Sequence, residues 1–378
     1  MAFIAFPAWI LGGFRIHRIQ IPILLLWCIF EICSFAALMP YWTGADLRTY
    51  QFTSLYLIVT VICFTLFFGE RSIKRAEVCL KAFTLGAVVA ALIGVLSYFG
   101  FSRFGISLLY DRVAGTFKDP NVFGSYLILG EAFVLQDLLI GTGRWRIFSL
   151  FALVIMLAGV FLSYSRGSWG ASILTLTMVT IITYLTCDSK ATRRRILIMS
   201  AIILGVAAVA LIGILARDDV REFFYQRAAL QDYDEGATGR FGNQLRSLLM
   251  LLDRPEGFGP NRFQEIFGIE PHNSYIGAFA NDGWIGGFTW ILIVLSTSYV
   301  GFRLILVRSP YRQLAQVAWP VLFALLLQGF QIDIDHWRHI FILFGMIWGF
   351  EASRIRCLER ERRTQDMPAS MQASTTYV

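Results

Sequence analysis

Apolar runs of about twenty residues recur from one end of this chain to the other, and no other feature restricts its fold as strongly. A helix that crosses a bilayer needs roughly 20 mostly apolar residues, because lipid offers no partner for an unpaired backbone group. Such runs stand at about 20–40, 50–69, 82–100, 121–139, 147–163, 168–187, 196–215, 284–306, 313–331 and 339–353. Only 16% of the 378 residues are charged and 56% are hydrophobic, against roughly 25% charged in a soluble domain. The expected fold class is all-α: one polytopic membrane domain over residues 1–378, with about 10 (10–12) transmembrane helices. Met1–Phe14 is apolar but short for a span, and lacks the basic start and small-residue cleavage site of a secretory signal. It reads as a tilted or interfacial piece, or as the stump of a longer N-terminus.

A net charge of +7 would suit nucleic acid in a soluble protein, but its placement has another cause. Lys and Arg collect in cytoplasmic loops. If the loops alternate, one set, about 15–18, 70–81, 140–146, 187–195, 303–312 and 354–363, holds 20 of the 33 basic residues. The other set, about 41–49, 101–119, 164–168, 216–272 and 332–338, holds 13 over roughly twice the length. The second set is therefore expected outside and the C-terminus in the cytoplasm, and nucleic acid drops out as a partner. Residues 364–378, rich in Ser, Thr and Gln, are expected to be a disordered tail. Six cysteines lie in spans or beside inner loops, which predicts no disulfide framework, and four scattered His have no zinc spacing.

The one long polar stretch, 216–272, is where chemistry is expected. Its first part, Arg217 to Glu235, is charged and reads as helical. Thr238-Gly239-Arg240 opens a second helical stretch, Leu245 to Leu252, with an apolar side suited to a membrane surface. In 254–263, two Pro and two Gly force a turn. Arg166, in Ser163-Tyr164-Ser165-Arg166-Gly167-Ser168-Trp169-Gly170, stands on the side where basic residues are sparse. It can snorkel to headgroups or receive an anionic group through its forked guanidinium. Gly167 and Gly170 would allow a close approach. His272, in Pro271-His272-Asn273-Ser274-Tyr275, has a pKa suited to taking a proton from a hydroxyl. After it comes a short helix interrupted at Asn281-Asp282-Gly283, a break tolerated at membrane depth where it lines a cavity. Arg240 follows Thr238-Gly239, where the backbone can come near a ligand. Arg112 and Lys118 would extend a cationic outer rim, and Asp119-Pro120 reads as the cap and first residue of a helix.

Asp333, Asp335, His336 and His339 resemble metal ligands by type, but the acidic pair reads as a span end on a short loop, and no metal site is expected. No glycine-rich phosphate cradle follows a strand. Within the spans the ionisable groups are chiefly Glu31, Glu131 and Asp137, few for an ion-coupled transporter.

Four motifs in order, between about Arg112 and Gly287, resemble the O-antigen ligase and polymerase family of bacterial envelope proteins. They are Gly115 to Gly124, Ser165 to Gly170, Arg240 to Phe263, and His272 to Gly286. The resemblance implies a metal-independent, cofactor-free, inverting membrane glycosyltransferase of the GT-C type, with 216–272 as a periplasmic loop. Its donor would be a glycan on undecaprenyl diphosphate and its acceptor a glycan or lipid A–core, with a chain-length regulator as partner in the polymerase case. His272 would be the general base, and Arg166 and Arg240 would hold the departing diphosphate. The chain is shorter than members with about twelve spans, which leaves room for a hairpin ahead of Met1–Phe14. A flippase or exporter of the lipid-linked glycan, and a peptidoglycan polymerase of the shape, elongation and division type, remain as other readings.

Overall fold

The computed structural model describes residues 15–101, 108–109, 112–141, 146–228 and 239–366. The stub Met1–Phe14, Thr238 and the tail from 367 onward lie outside these residues. A helix stands at each of the ten apolar runs: α1 (Ile21–Leu38), α2 (Ala45–Phe67), α3 (Ser72–Tyr98), α4 (Pro120–Ile140), α5 (Arg146–Leu162), α6 (Arg166–Thr186), α7 (Lys190–Leu215), and, beyond the 216–272 stretch, α11 (Ser274–Leu306), α12 (Arg312–Gln328) and α13 (Arg338–Gln365). That stretch carries α8 (Asp218–Ala228), α9 (Arg240–Met250) and α10 (Phe263–Phe267). Among the described residues, seven helices are long and apolar enough to cross a membrane: α1 with its flanking turns, α2, α3, α4, α6, α7 and α11. Helices α5 and α12 have 17 residues each, and α13 carries Glu351 and Arg354 along its length. The chain is an all-α polytopic membrane protein. A short antiparallel pair, β1 (Leu108–Leu109) and β2 (Arg112–Val113), precedes α4.

Local chemistry sets the helix starts. Asp119 accepts from the Asn121 N–H ahead of Pro120, as its spacing predicts, and Ser165, Ser189 and Asn273 cap α6, α7 and α11 in the same way; each such cap contributes about 1 kcal/mol. Helix α4 is central: 78% of its most apolar stretch is buried inside the protein, against 6% for α7. It packs on α5, α6 and α3, while α11 lies along α1, α13 along α2, and α12 on α6. Three acidic side chains buried between helices each have a polar or ionic partner, since an isolated one is costly there. Ser172 Oγ donates to Glu131 at 2.6 Å, Gln51 Nε2 to Glu31 at 3.0 Å, and Arg303 and Arg354 close on the fully buried Glu351.

Helix α11 begins ten residues before the apolar run that announces it, and one residue, Gly283, leaves the helical region at φ 71°, ψ −171°. The turn at 255–260 supplies the partners lost at this break. Phe258 N donates to Ala280 O at 2.7 Å, Gly259 N to Asn281 O at 3.1 Å, and Trp284 N to Pro255 O at 3.0 Å. A Cβ on Gly283 would fall on the Pro255 carbonyl, and one on Gly257 would lie 2.7 Å from Asn281 O. The Pro-Gly turn and the Asn-Asp-Gly break are two halves of one joint.

Helix α9 has the reverse of a soluble helix's pattern. Phe241, Leu245 and Leu249 form an exposed stripe, followed by the exposed Leu252 just past the helix end, while the polar Asn243, Gln244 and Ser247 are buried. Gln244 Nε2 donates to Pro271 O at 2.8 Å and Asn243 Nδ2 to Phe267 O at 3.3 Å, so α9 grips the segment leading into His272. An apolar stripe turned outward suits a helix lying on a lipid surface.

Candidate active site

Five helices open at one end of the bundle, each with a nominated or basic group at its start. Lys118 precedes α4, Arg166 opens α6, Arg240 opens α9, His272 precedes α11, and Arg338 opens α13. Helix N-termini carry partial positive charge, and cations added there make the end attractive to anions. The contacts draw these starts together around the C-terminal turn of α12. Gly167 lies so close to Gln328 that a Cβ would be 2.7 Å from its Nε2. Arg240 Nη2 is 3.5 Å from Phe330 O, and Ser274 N donates to Gly329 O at 2.8 Å. Gly170, by contrast, has open space around it. The first turn of α6 is braced from below, where Ser168 Oγ and Gln328 Oε1 both meet Ser125 Oγ.

His272 is half-buried, with its backbone in the left-handed region at φ 45°. Among the described residues, Tyr164, Asn261 and His272 are three of the four non-glycine residues with positive φ, and all three lie in the motifs singled out above. Such backbone costs about 1–3 kcal/mol per residue and collects where function over-determines geometry. Asp333 holds His272 in place: its Oδ2 accepts from His272 N and its Oδ1 from Asn273 N, both at 3.0 Å. The same Oδ2 lies 3.5 Å from His272 Nδ1. Asp333 therefore lies on the Nδ1 side of the ring. Glu270 lies nearby, and burial together with the Asp333 carboxylate pushes its carboxyl above the ordinary value, against the opposing pull of His272.

A cavity of about 910 Å³ opens beside this pair. His272 and Lys118 line it, as do Asn281 and Asp282 from the break in α11; Arg166, Arg240 and Arg112 do not. Lys118 and Arg338 are exposed at its wall. Arg112 is turned into the protein, its Nε donating to Ser163 O and its Nη2 to Asn121 Oδ1, both at 2.8 Å, so it ties β2 to the α4 start and the turn before Arg166. A second cluster stands in the same cavity: Tyr50 Oη donates to Asp335 Oδ2 at 2.9 Å, and His336 Nδ1 lies 3.1 Å from that oxygen. Among the described residues, no group of three or more His, Cys, Asp or Glu is arranged to hold a metal ion.

Residues 151–291, from α5 through the joint in α11, match the family described as O-antigen ligase. The match assigns this segment to the O-antigen ligase and polymerase family. No curated protein matches the chain. The O-antigen ligase segment includes Arg166, Arg240, His272 and both halves of the α11 joint, whereas Lys118, Asp333, Asp335 and Arg338 reach the cavity from outside it. The assignment supports a membrane enzyme that transfers glycans as ligase or polymerase. Sequence reasoning had passed over Asp333. Its signal, Asp333-Ile334-Asp335-His336, was visible but weighed only as a metal set, and its distance from His272 along the chain hid the pairing.

Proposed function

We propose that this protein moves a glycan from undecaprenyl diphosphate to an acceptor sugar hydroxyl at the periplasmic face of the inner membrane, as an O-antigen ligase or a surface-polysaccharide polymerase. His272 Nε2 takes the proton of the acceptor hydroxyl. The oxygen attacks the anomeric carbon of the donor, the bond from that carbon to the diphosphate breaks, and the configuration inverts. Asp333 keeps the imidazole oriented and steadies the charge it gains. The diphosphate leaves toward Arg166 and Arg240, whose helix starts flank Gln328–Phe330, and Lys118 belongs to the surrounding cationic rim, whereas Arg112, expected there from the sequence, is turned inward as a brace. A departing diphosphate is stabilised by such preorganised cations, and the reaction needs no metal or cofactor. In this reading 216–272 is the periplasmic loop, α9 rests on the membrane, and the acceptor is a glycan or lipid A–core.

The observation that carries the reading is the His272–Asp333 pair at the wall of a cavity on the end where Arg166 and Arg240 begin their helices. Replacing His272 with Ala should lower transfer by about 10²–10⁴-fold and abolish surface polysaccharide while the protein stays in the membrane. Wild-type polysaccharide from that variant would overturn the proposal.

A further inference from the structure

We propose that the interior of the cavity is a saccharide subsite for the acceptor, shaped for an uncharged sugar ring and selective against uronic or phosphorylated rings. Its assignment to the acceptor rests on the transferase reading above; the sugar binding itself does not. The cavity's 910 Å³ falls within the range of about 300–1,000 Å³ that encloses a drug-sized ligand. Its wall combines aromatic side chains with hydrogen-bonding groups, the two kinds of partner that suit the apolar faces and the hydroxyls of a pyranose. Trp290 and Tyr126 are among its lining residues, and the Tyr50 ring lies against His336 with centroids 4.0 Å apart and planes tilted by 40°.

Two buried polar atoms give a second, separate indication of a ligand. Trp290 is 3% exposed and His339 4% exposed, and both line the cavity. Trp290 Nε1 and His339 Nε2 have no hydrogen-bond partner among the described residues. Buried polar atoms are seldom left so, and sugar hydroxyls, which donate and accept, can pair with both.

Selectivity follows from how charge is distributed. Lys118 and Arg338 are exposed, whereas the carboxyl-bearing groups are more enclosed: Asp282 is 7% exposed, and Glu270, Asp333 and Asp335 are half-buried. A hydroxyl-rich neutral ring can bond these groups. An anionic ring would have to give up water to sit among them, which both desolvation and like-charge repulsion oppose.

The test is titration of the full-length protein in lipid nanodiscs with the methyl glycosides of a hexose, an N-acetylhexosamine and a hexuronate, read by saturation-transfer NMR. The neutral glycosides should bind, the hexuronate at least about tenfold more weakly. Trp290→Phe should weaken neutral binding about threefold or more, having lost one donor, and Asp335→Asn should narrow the gap between neutral and acidic sugars. Equal binding of the hexuronate, no binding of any glycoside, or neutral binding untouched by Trp290→Phe in a variant with the wild-type melting temperature would each overturn the subsite. Binding retained in His272→Ala, together with normal polysaccharide from that variant, would keep the subsite and discard the transferase.

Discussion

At the scale of single residues, Asp333 has two tasks that substitutions can separate. Asp333→Ala removes both the backbone clasp and the orientation of the imidazole, and should lower transfer by roughly 10–100-fold, the range for groups that orient a functional histidine. Asp333→Asn keeps an acceptor for one backbone N–H and should fall less far. Equal loss in the two variants, measured as transfer from a lipid-linked donor, would show that the side chain's charge and not its clasp matters. Glu270 offers a pH-dependent check. Burial and Asp333 raise its carboxyl, so the folded protein keeps that proton to higher pH than the unfolded chain does. Its contribution to stability is therefore constant below the ordinary Glu value and declines as pH rises from there through the raised value. Glu270→Gln should leave the melting temperature unchanged near about pH 4 and raise it near about pH 8. His272, Arg166 and Arg240 were legible as candidates because a base or cation on the side expected to be poor in charge stands out by type. Asp333 was not, since a carboxylate's partner some sixty residues away leaves no trace in composition or spacing.

At the scale of elements, the joint between the 255–260 turn and the break in α11 is where local sequence and tertiary contact agree most closely. Gly283 holds a backbone conformation that other residues adopt at a cost of about 1–3 kcal/mol, and its Cβ would also strike Pro255. Gly283→Ala should lower thermal stability by at least that amount and take surface polysaccharide with it, as Asn281 and Asp282 would be displaced from the cavity wall. Gly170→Ala, with open space around it and a helical position, should leave the melting temperature unchanged or slightly higher; a large loss there would contradict the packing described for α6. The turn and the break could each be read from their Pro, Gly and Asn-Asp-Gly content. That they bond to each other could not, because backbone hydrogen bonds across a loop carry no side-chain signature. The same limit explains the start of α11: Ser274–Phe279 is helical because Asn273 caps it and α12 supports it, while its own residues are too mixed to extend the apolar run.

At the scale of the whole molecule, the bundle was the most readable level, since the length and apolarity of a span are enforced by lipid at each crossing. The charge asymmetry gives a direct check on orientation. An alkaline phosphatase fusion at Asp253, within the 216–272 stretch, should be active and one after Gln365 inactive; the reverse pattern would turn the proposed site to the cytoplasm. The slight burial of α7 within the protein has a further effect. With 6% of its apolar stretch buried, most of this helix is left to face lipid, and its tilt is expected to answer to bilayer thickness. Residues 216 and 217 join it directly to α8, whose Phe223 and Phe224 rest on Tyr164 and Trp169, which flank the Arg166 start. Acyl-chain length would thereby become an effector of the enzyme, acting through no binding site: reconstitution in short-, medium- and long-chain lipids should change the rate of transfer while leaving the affinity of the cavity for free sugar as it was.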